Sequence, residues 1–204
     1  MESATPQAGG RIDGRSARSD RTRGALTDAM LALLDEGDSR PTAERIAARA
    51  GVSERTLFQH FPDREALFQG AALAQAERIA PMIEPLPPPE APLDERLQAF
   101  VAQRARLLER VSPVRRAALL LEPSSPTIAG WLRAVREGAS AEVAHVFAPE
   151  LGDRSRADRD ELLATLAVAA AWPVWESLRA HQGLSPPRAE AAMRRALAAL
   201  LASD

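Results

Sequence analysis

Apolar residues in this chain recur at the three- and four-residue spacing of helix faces and nowhere alternate as in a strand. Leu26, Ala29, Met30, Leu33 and Leu34 form a first stripe, and Gly37 follows as a natural C-terminal cap. Ile46, Ala47 and Ala50 mark a short second helix. Val52, Leu57 and Phe61 mark a third that stops at Phe61-Pro62. Asp63 is an N-cap candidate for a fourth, running through Leu67, Phe68 and Ile79 towards Pro81. The span from Pro81 to Pro92 holds six prolines and is the clearest break in the chain. Beyond it the pattern predicts a helix over 93–111, then a shorter one begun by Ser112-Pro113 and ending near Glu122-Pro123. Three more follow over 127–147, 157–180 and 186–202, with Pro173 expected to kink the second of these from within. The fold class is therefore all-α, with about nine helices.

Residues 42–64 carry the most specific chemistry. Gly51 supplies the positive φ that lets two short helices turn sharply on each other, and Ser53 is placed to cap the second. Burying Val52, Leu57 and Phe61 leaves Glu54, Arg55, Thr56, Phe58, Gln59 and His60 pointing outward. That is a helix-turn-helix, whose second helix enters the DNA major groove by its N-terminal end.

Composition narrows the alternatives. Net charge is −2, so any affinity for DNA has to be local, and all 26 basic residues are arginine. With no cysteine, thiolate catalysis and the usual structural zinc sites are excluded, and a reducing cytoplasm is the expected compartment. No apolar run approaches the roughly 18 residues of a membrane span, and no apolar signal core is seen, so no membrane partner is expected. His60, His145 and His181 lie far apart, and Glu142 with His145 lacks the second pair a metal site needs. No nucleophile–base pairing stands out, so no metal, cofactor or catalytic residue is assigned and an enzyme is not expected.

Three stretches carry a resemblance: the first helix ending in Glu36-Gly37, the segment Ile46-Ala47-x-x-Ala50-Gly51-Val52-Ser53-x-x-Thr56-Leu57-Phe58-x-His60-Phe61, and Asp63-Arg64-Glu65-Ala66-Leu67-Phe68. In these the chain resembles the TetR family of bacterial transcriptional regulators, over roughly residues 20–70. The resemblance implies a three-helix DNA-binding head, a helical body with a small-molecule pocket, and a homodimer formed by the last two helices, here 157–180 and 186–202. It also implies a repressor that leaves a palindromic operator when an effector fills the body. Phe58 stands where the family usually has tyrosine and lacks its hydroxyl. Arg64 replaces a usual lysine and donates to phosphate equally well.

The expected domains are a disordered tail over 1–19, a DNA-binding head over 20–68 with its helix-turn-helix at 43–62, and a regulatory and dimerisation body over 69–204. Arg55 and Gln59 are the candidates for reading bases, and Glu54 is either a reader of cytosine or a helix-terminus charge. Thr42, Ser53, Thr56, His60 and Arg64 are candidate phosphate contacts, with Phe58 beside them. Five arginines between Arg11 and Arg23 could follow the DNA or stay in solvent. In the body, Phe100, Arg104, Leu107, Trp131, Val135, Trp172 and Trp175 are the candidate effector pocket, suited to a hydrophobic molecule, anionic if Arg104 faces it. The rings could equally be core. Two rival functions are a DNA-binding regulator controlled by a protein partner and a helical enzyme.

Overall fold

The computed structural model describes residues 10–152 and 154–202, and every regular element among them is helical. The chain divides into two compact units, residues 1–76 and 77–204.

In the first unit α1 (Gly10–Asp35) packs against α2 (Ala43–Ala50) and α3 (Glu54–His60), and α4 (Arg64–Ile79) follows. Leu26, Met30, Leu33 and Leu34 meet Ile46, Leu57, Phe61, Leu67 and Phe68 in a core that excludes water. α1 starts earlier than the sequence pattern suggests. Of the tail expected over 1–19, residues 1–9 lie outside the described residues, and from Gly10 the backbone is already helical. Extending a helix costs little once a packed segment such as 26–34 has nucleated it.

Sharp turns are set by short-range chemistry. Thr42 Oγ1 accepts from the Arg45 amide at 3.2 Å and caps α2. Gly51 ends that helix at φ +70°, and its amide bonds the Ala48 carbonyl. Ser53 Oγ accepts from the Thr56 amide at 3.1 Å, and Asp63 Oδ1 from the Ala66 amide at 2.7 Å.

In the second unit two prolines behave differently from expectation. α5 runs unbroken over Leu93–Leu121 with Pro113 inside it, so the two helices predicted for 93–111 and 113–122 are one. The Ser112 hydroxyl donates to the Leu108 carbonyl at 2.7 Å, a local bond that accompanies the missing proline N–H. The reverse happens at Pro173. Instead of kinking one helix, the chain stops α8 (Arg156–Ala169), extends at Ala171, and restarts as α9 (Trp172–Glu176). Pro173 falls in the first turn of α9, where no N–H is required of it. A π-turn over Ser177–His181 and Gly183 at φ +64° lead to α10 (Pro186–Leu201). Between them α6 (Pro126–Val146) and α7 (Ala148–Gly152) complete the unit.

Phe100 meets Phe147 edge-on, with ring centres 5.4 Å apart, in a core shared with Val101, Leu166, Trp175, Met193 and Leu197. Leu197 is 0% exposed and serves this chain's own core, with Leu200 half-buried beside it. Arg96 is buried near the start of α5. Its guanidinium grips the Glu150 carboxylate with two nitrogens, and donates further to the carbonyls of Val146 and Ala91 at 2.6 and 2.8 Å. Glu109 on α5 likewise accepts from Trp175 at 3.0 Å and from Arg179 at 2.7 and 2.9 Å.

Two outcomes follow. At Gly51 nothing lies within 4 Å of an added Cβ, so Gly51→Ala isolates backbone strain. It should destabilise the first unit by about 1–2 kcal/mol, and Gly51→Asn by less, read from faster hydrogen exchange of α2 and α3 amides. The second outcome concerns acid. Hydrogen bonds from Arg96 and Arg179 hold the Glu150 and Glu109 carboxyls below the usual glutamate value. Groups lowered in this way stabilise the fold above their unfolded value, and that stability is lost as pH falls through the folded one. Melting temperature should hold from neutral to about pH 5 and drop below about pH 4. Glu150→Gln should cost about 3 kcal/mol at neutral pH and make the acid drop shallower, because Arg96 stays buried with its charge unpaired.

Candidate nucleic-acid interface and ligand cavity

α3 is a two-sided helix of seven residues. Leu57 points into the core, while Arg55 and Gln59, four residues apart, are both exposed on the other side. Glu54 and Phe58 are exposed next to them, Phe58 by 47%. The chain therefore presents a guanidinium, an amide and an aromatic ring together on one surface.

The candidate phosphate contacts ring this helix. Thr42, Ser53 and Arg64 are exposed, and Thr56 and His60 are half-buried. The Ser53 and Thr56 hydroxyls lie 2.9 Å apart, so one hydroxyl hydrogen is used between them and the other stays available to an outside oxygen. Arg64 gives one N–H to the Pro41 carbonyl at 3.1 Å and keeps the rest of its fork. That bond fixes the start of α4 to the loop ahead of α2, a link spacing alone did not disclose.

Arg23 departs from its expected place in a basic tail. It donates to the His60 carbonyl at 3.0 Å, and its guanidinium lies 4.2 Å from the Phe61 ring centre. It holds α1 to the end of α3. Gly70 makes a second close approach, since a Cβ there would come within 2.8 Å of the Phe61 ring. The side chains of Arg11 and Arg15 lie outside the described residues.

The second unit contains a cavity of about 330 Å³ walled by α5, α6, α8 and the chain around α9. Arg104, Val135 and Trp172 of the expected pocket line it; Phe100, Leu107, Trp131 and Trp175 do not. Phe100 and Trp175 are consumed by the core at 1% and 0% exposure, and Trp131 is 37% exposed. Leu107, half-buried, lies on α5 next to Leu108, which does line the cavity.

What the sequence reading missed is the continuous face Arg104, Leu108, Val111, Arg115 and Leu119. It becomes visible only once α5 passes through Pro113. Arg136 and the break at Ala171–Pro173 add further lining. The Trp172 indole N–H donates to Ser112 Oγ at 3.0 Å and so holds its ring as a wall. Arg104 lies over the Phe100 ring and bonds Glu142 at 2.6 Å, and burial lowers its pKa below the ordinary arginine value. Among the described residues, no cluster of three or more histidine or acidic side chains is arranged to hold a metal ion.

Residues 26–71 match the family of bacterial regulatory proteins described as tetR. The nucleoid occlusion factor SlmA of Vibrio atlanticus (strain LGP32) is 36% identical over 55 residues, 26% of this chain and 28% of that protein. The chain thus matches little more than a quarter of this curated relative's length. Two solved structures are similar over almost the whole chain. A transcriptional regulator from Rhodococcus sp. Rha1 aligns with TM-score 0.65 at 17% identity, covering 90% of this chain and 95% of that one. A TetR-like transcriptional regulator from Rhodococcus sp. RHA1 aligns at 0.59 and 18%, covering 98% and 100%. At such identity the likeness is one of fold, and the family match is confined to residues 26–71. Over that N-terminal segment the chain is similar to the tetR family of bacterial regulatory proteins.

Proposed function

We propose that this protein is a sequence-specific DNA-binding transcriptional regulator, a repressor that sits on a palindromic operator as a homodimer and leaves it when a small apolar effector fills the cavity. The observation that carries the reading is the outward face of α3, where Arg55 and Gln59 share one exposed surface. Arginine bonds guanine O6 and N7, and glutamine adenine N6 and N7, each in a two-pronged fashion. Thr42, Ser53, Thr56, His60 and Arg64 set the register on phosphates, Phe58 packs against the sugar-phosphate edge, and Glu54 at the first position of α3 favours that helix end. A regulator answering only to a protein partner would give the cavity no task. Among the described residues no helix is long and apolar enough to cross a membrane.

DNA from upstream of the protein's own gene is the first target to try, by gel shift. Arg55→Ala should cost on the order of 1–3 kcal/mol on the operator and relax preference at one base pair per half-site. Arg64→Ala should weaken operator and random DNA alike and make the salt slope shallower by about one. Equal losses on both DNAs for the two variants would remove Arg55 from base reading. Failure of the parent protein to select any palindrome at low salt would remove the DNA-binding function itself.

The homodimer would use the outer faces of α8 and α10, which pack on each other within the unit. Ala164 and Ala196 are exposed there. Two-fold symmetry places every substituted residue in the interface twice and spaces the recognition helices by about one DNA turn, ~34–36 Å. Ala164→Glu with Ala196→Glu should therefore give monomers in sedimentation velocity and abolish tight operator binding. A dimer that survives both charges places the interface elsewhere.

A further inference from the structure

Each guanidinium around the cavity has a carboxylate except one. Arg104 is paired with Glu142 at 2.6 Å and Arg136 with Glu122 at 3.1 Å. Arg115 is only 8% exposed, and its Nε is the buried side-chain nitrogen left without an acceptor among the described residues. The centre of the Trp172 ring lies 6.0 Å from its guanidinium carbon. Burial and the repulsion of Arg136 both disfavour its charge, and Glu122 compensates only in part. An arginine at this depth keeps its proton, so the cavity holds an unanswered positive charge among apolar walls of Leu108, Val111, Leu119 and Val168.

We infer that the cavity binds an apolar organic acid, its carboxylate held by the Arg115 guanidinium and its hydrocarbon body laid against Trp172, Leu108, Val111 and Val168. A carboxylate matches the planar fork with two parallel hydrogen bonds, and each such bond is stronger for being shielded from water. A strongly hydrated inorganic anion would lose its water for apolar walls, whereas an amphipathic acid gains by burying its tail. A cavity of about 330 Å³ lies at the small end of ligand sites, suited to a compact molecule. Val135 and Val168, 42% and 64% exposed, form an apolar rim through which the tail can enter. The inference deepens the effector reading given above and rests on it for its regulatory meaning, but not for the binding itself.

The test is calorimetric titration of the full chain, without DNA, with decanoate and with decanamide, which share a tail and differ in charge. Decanoate should bind roughly 10- to 100-fold more tightly. Arg115→Met keeps the stem and removes the charge. In that variant the acid should fall to parity with the amide, while decanamide affinity stays within about threefold, showing that the cavity is still formed. Equal binding of the two probes by the parent protein, a preference that survives in Arg115→Met, or no binding of either probe would each overturn the proposal. Gel shifts with decanoate present separate the two readings. Acid selectivity without release of DNA would sink the effector role and leave the site standing. DNA binding without acid selectivity would do the opposite.

Discussion

All positive side chains of this protein are arginines, and an arginine does not give up its proton when buried. A lysine sealed in a core can turn neutral; a guanidinium has to be answered by acceptors or stay costly. Much of the second unit is arranged by that constraint. Arg96 draws the start of α5, the end of α6 and α7 together, because Glu150 and two backbone carbonyls must surround it. Arg179 leaves the π-turn for Glu109, and Trp175 donates to the same carboxylate. Arg104 takes Glu142 and lies on Phe100. Arg115 is where the arrangement stops short, and it does so at the edge of an apolar cavity.

The head was legible because its signals are local. Caps by Thr42, Ser53 and Asp63, a left-handed Gly51, and apolar spacing three or four apart all act within a turn of where they are written, and the structure repeats them. Which residues of α3 face outward followed from the same periodicity. Arg23 was misjudged as part of a basic tail, since its partners, the His60 carbonyl and the Phe61 ring, lie more than thirty residues away in sequence. Such pairing has no sequence signature.

Prolines show where pattern reading gives way to packing. Pro113 resembles a helix start and Pro173 a kink, yet the first is carried inside a continuous helix and the second opens a new one. Proline forbids only a donor and a range of φ; the surrounding contacts decide whether the chain goes on. Both errors obscured the cavity. Splitting α5 hid the shared face of Arg104 and Arg115, and joining α8 to α9 hid the break that brings Ala171 and Pro173 to the wall. Of the aromatic residues singled out for that site, the largest and most buried were already spent on the core, as big rings usually are.

The three tryptophans sit in three unlike surroundings, and this gives the protein a built-in optical division of labour. Trp175 is sealed from water with its N–H on a carboxylate, Trp131 is exposed on α6, and Trp172 is half-buried with a hydroxyl on its N–H and a guanidinium near its face. Water relaxes the excited indole towards longer wavelengths, so the sealed ring emits at the blue end, the exposed one at the red end, and the cavity ring between them. A small solute that quenches by collision reaches Trp131 first and Trp175 last. With Trp131 already quenched, what remains of the red-shifted light belongs to the ring that walls the cavity.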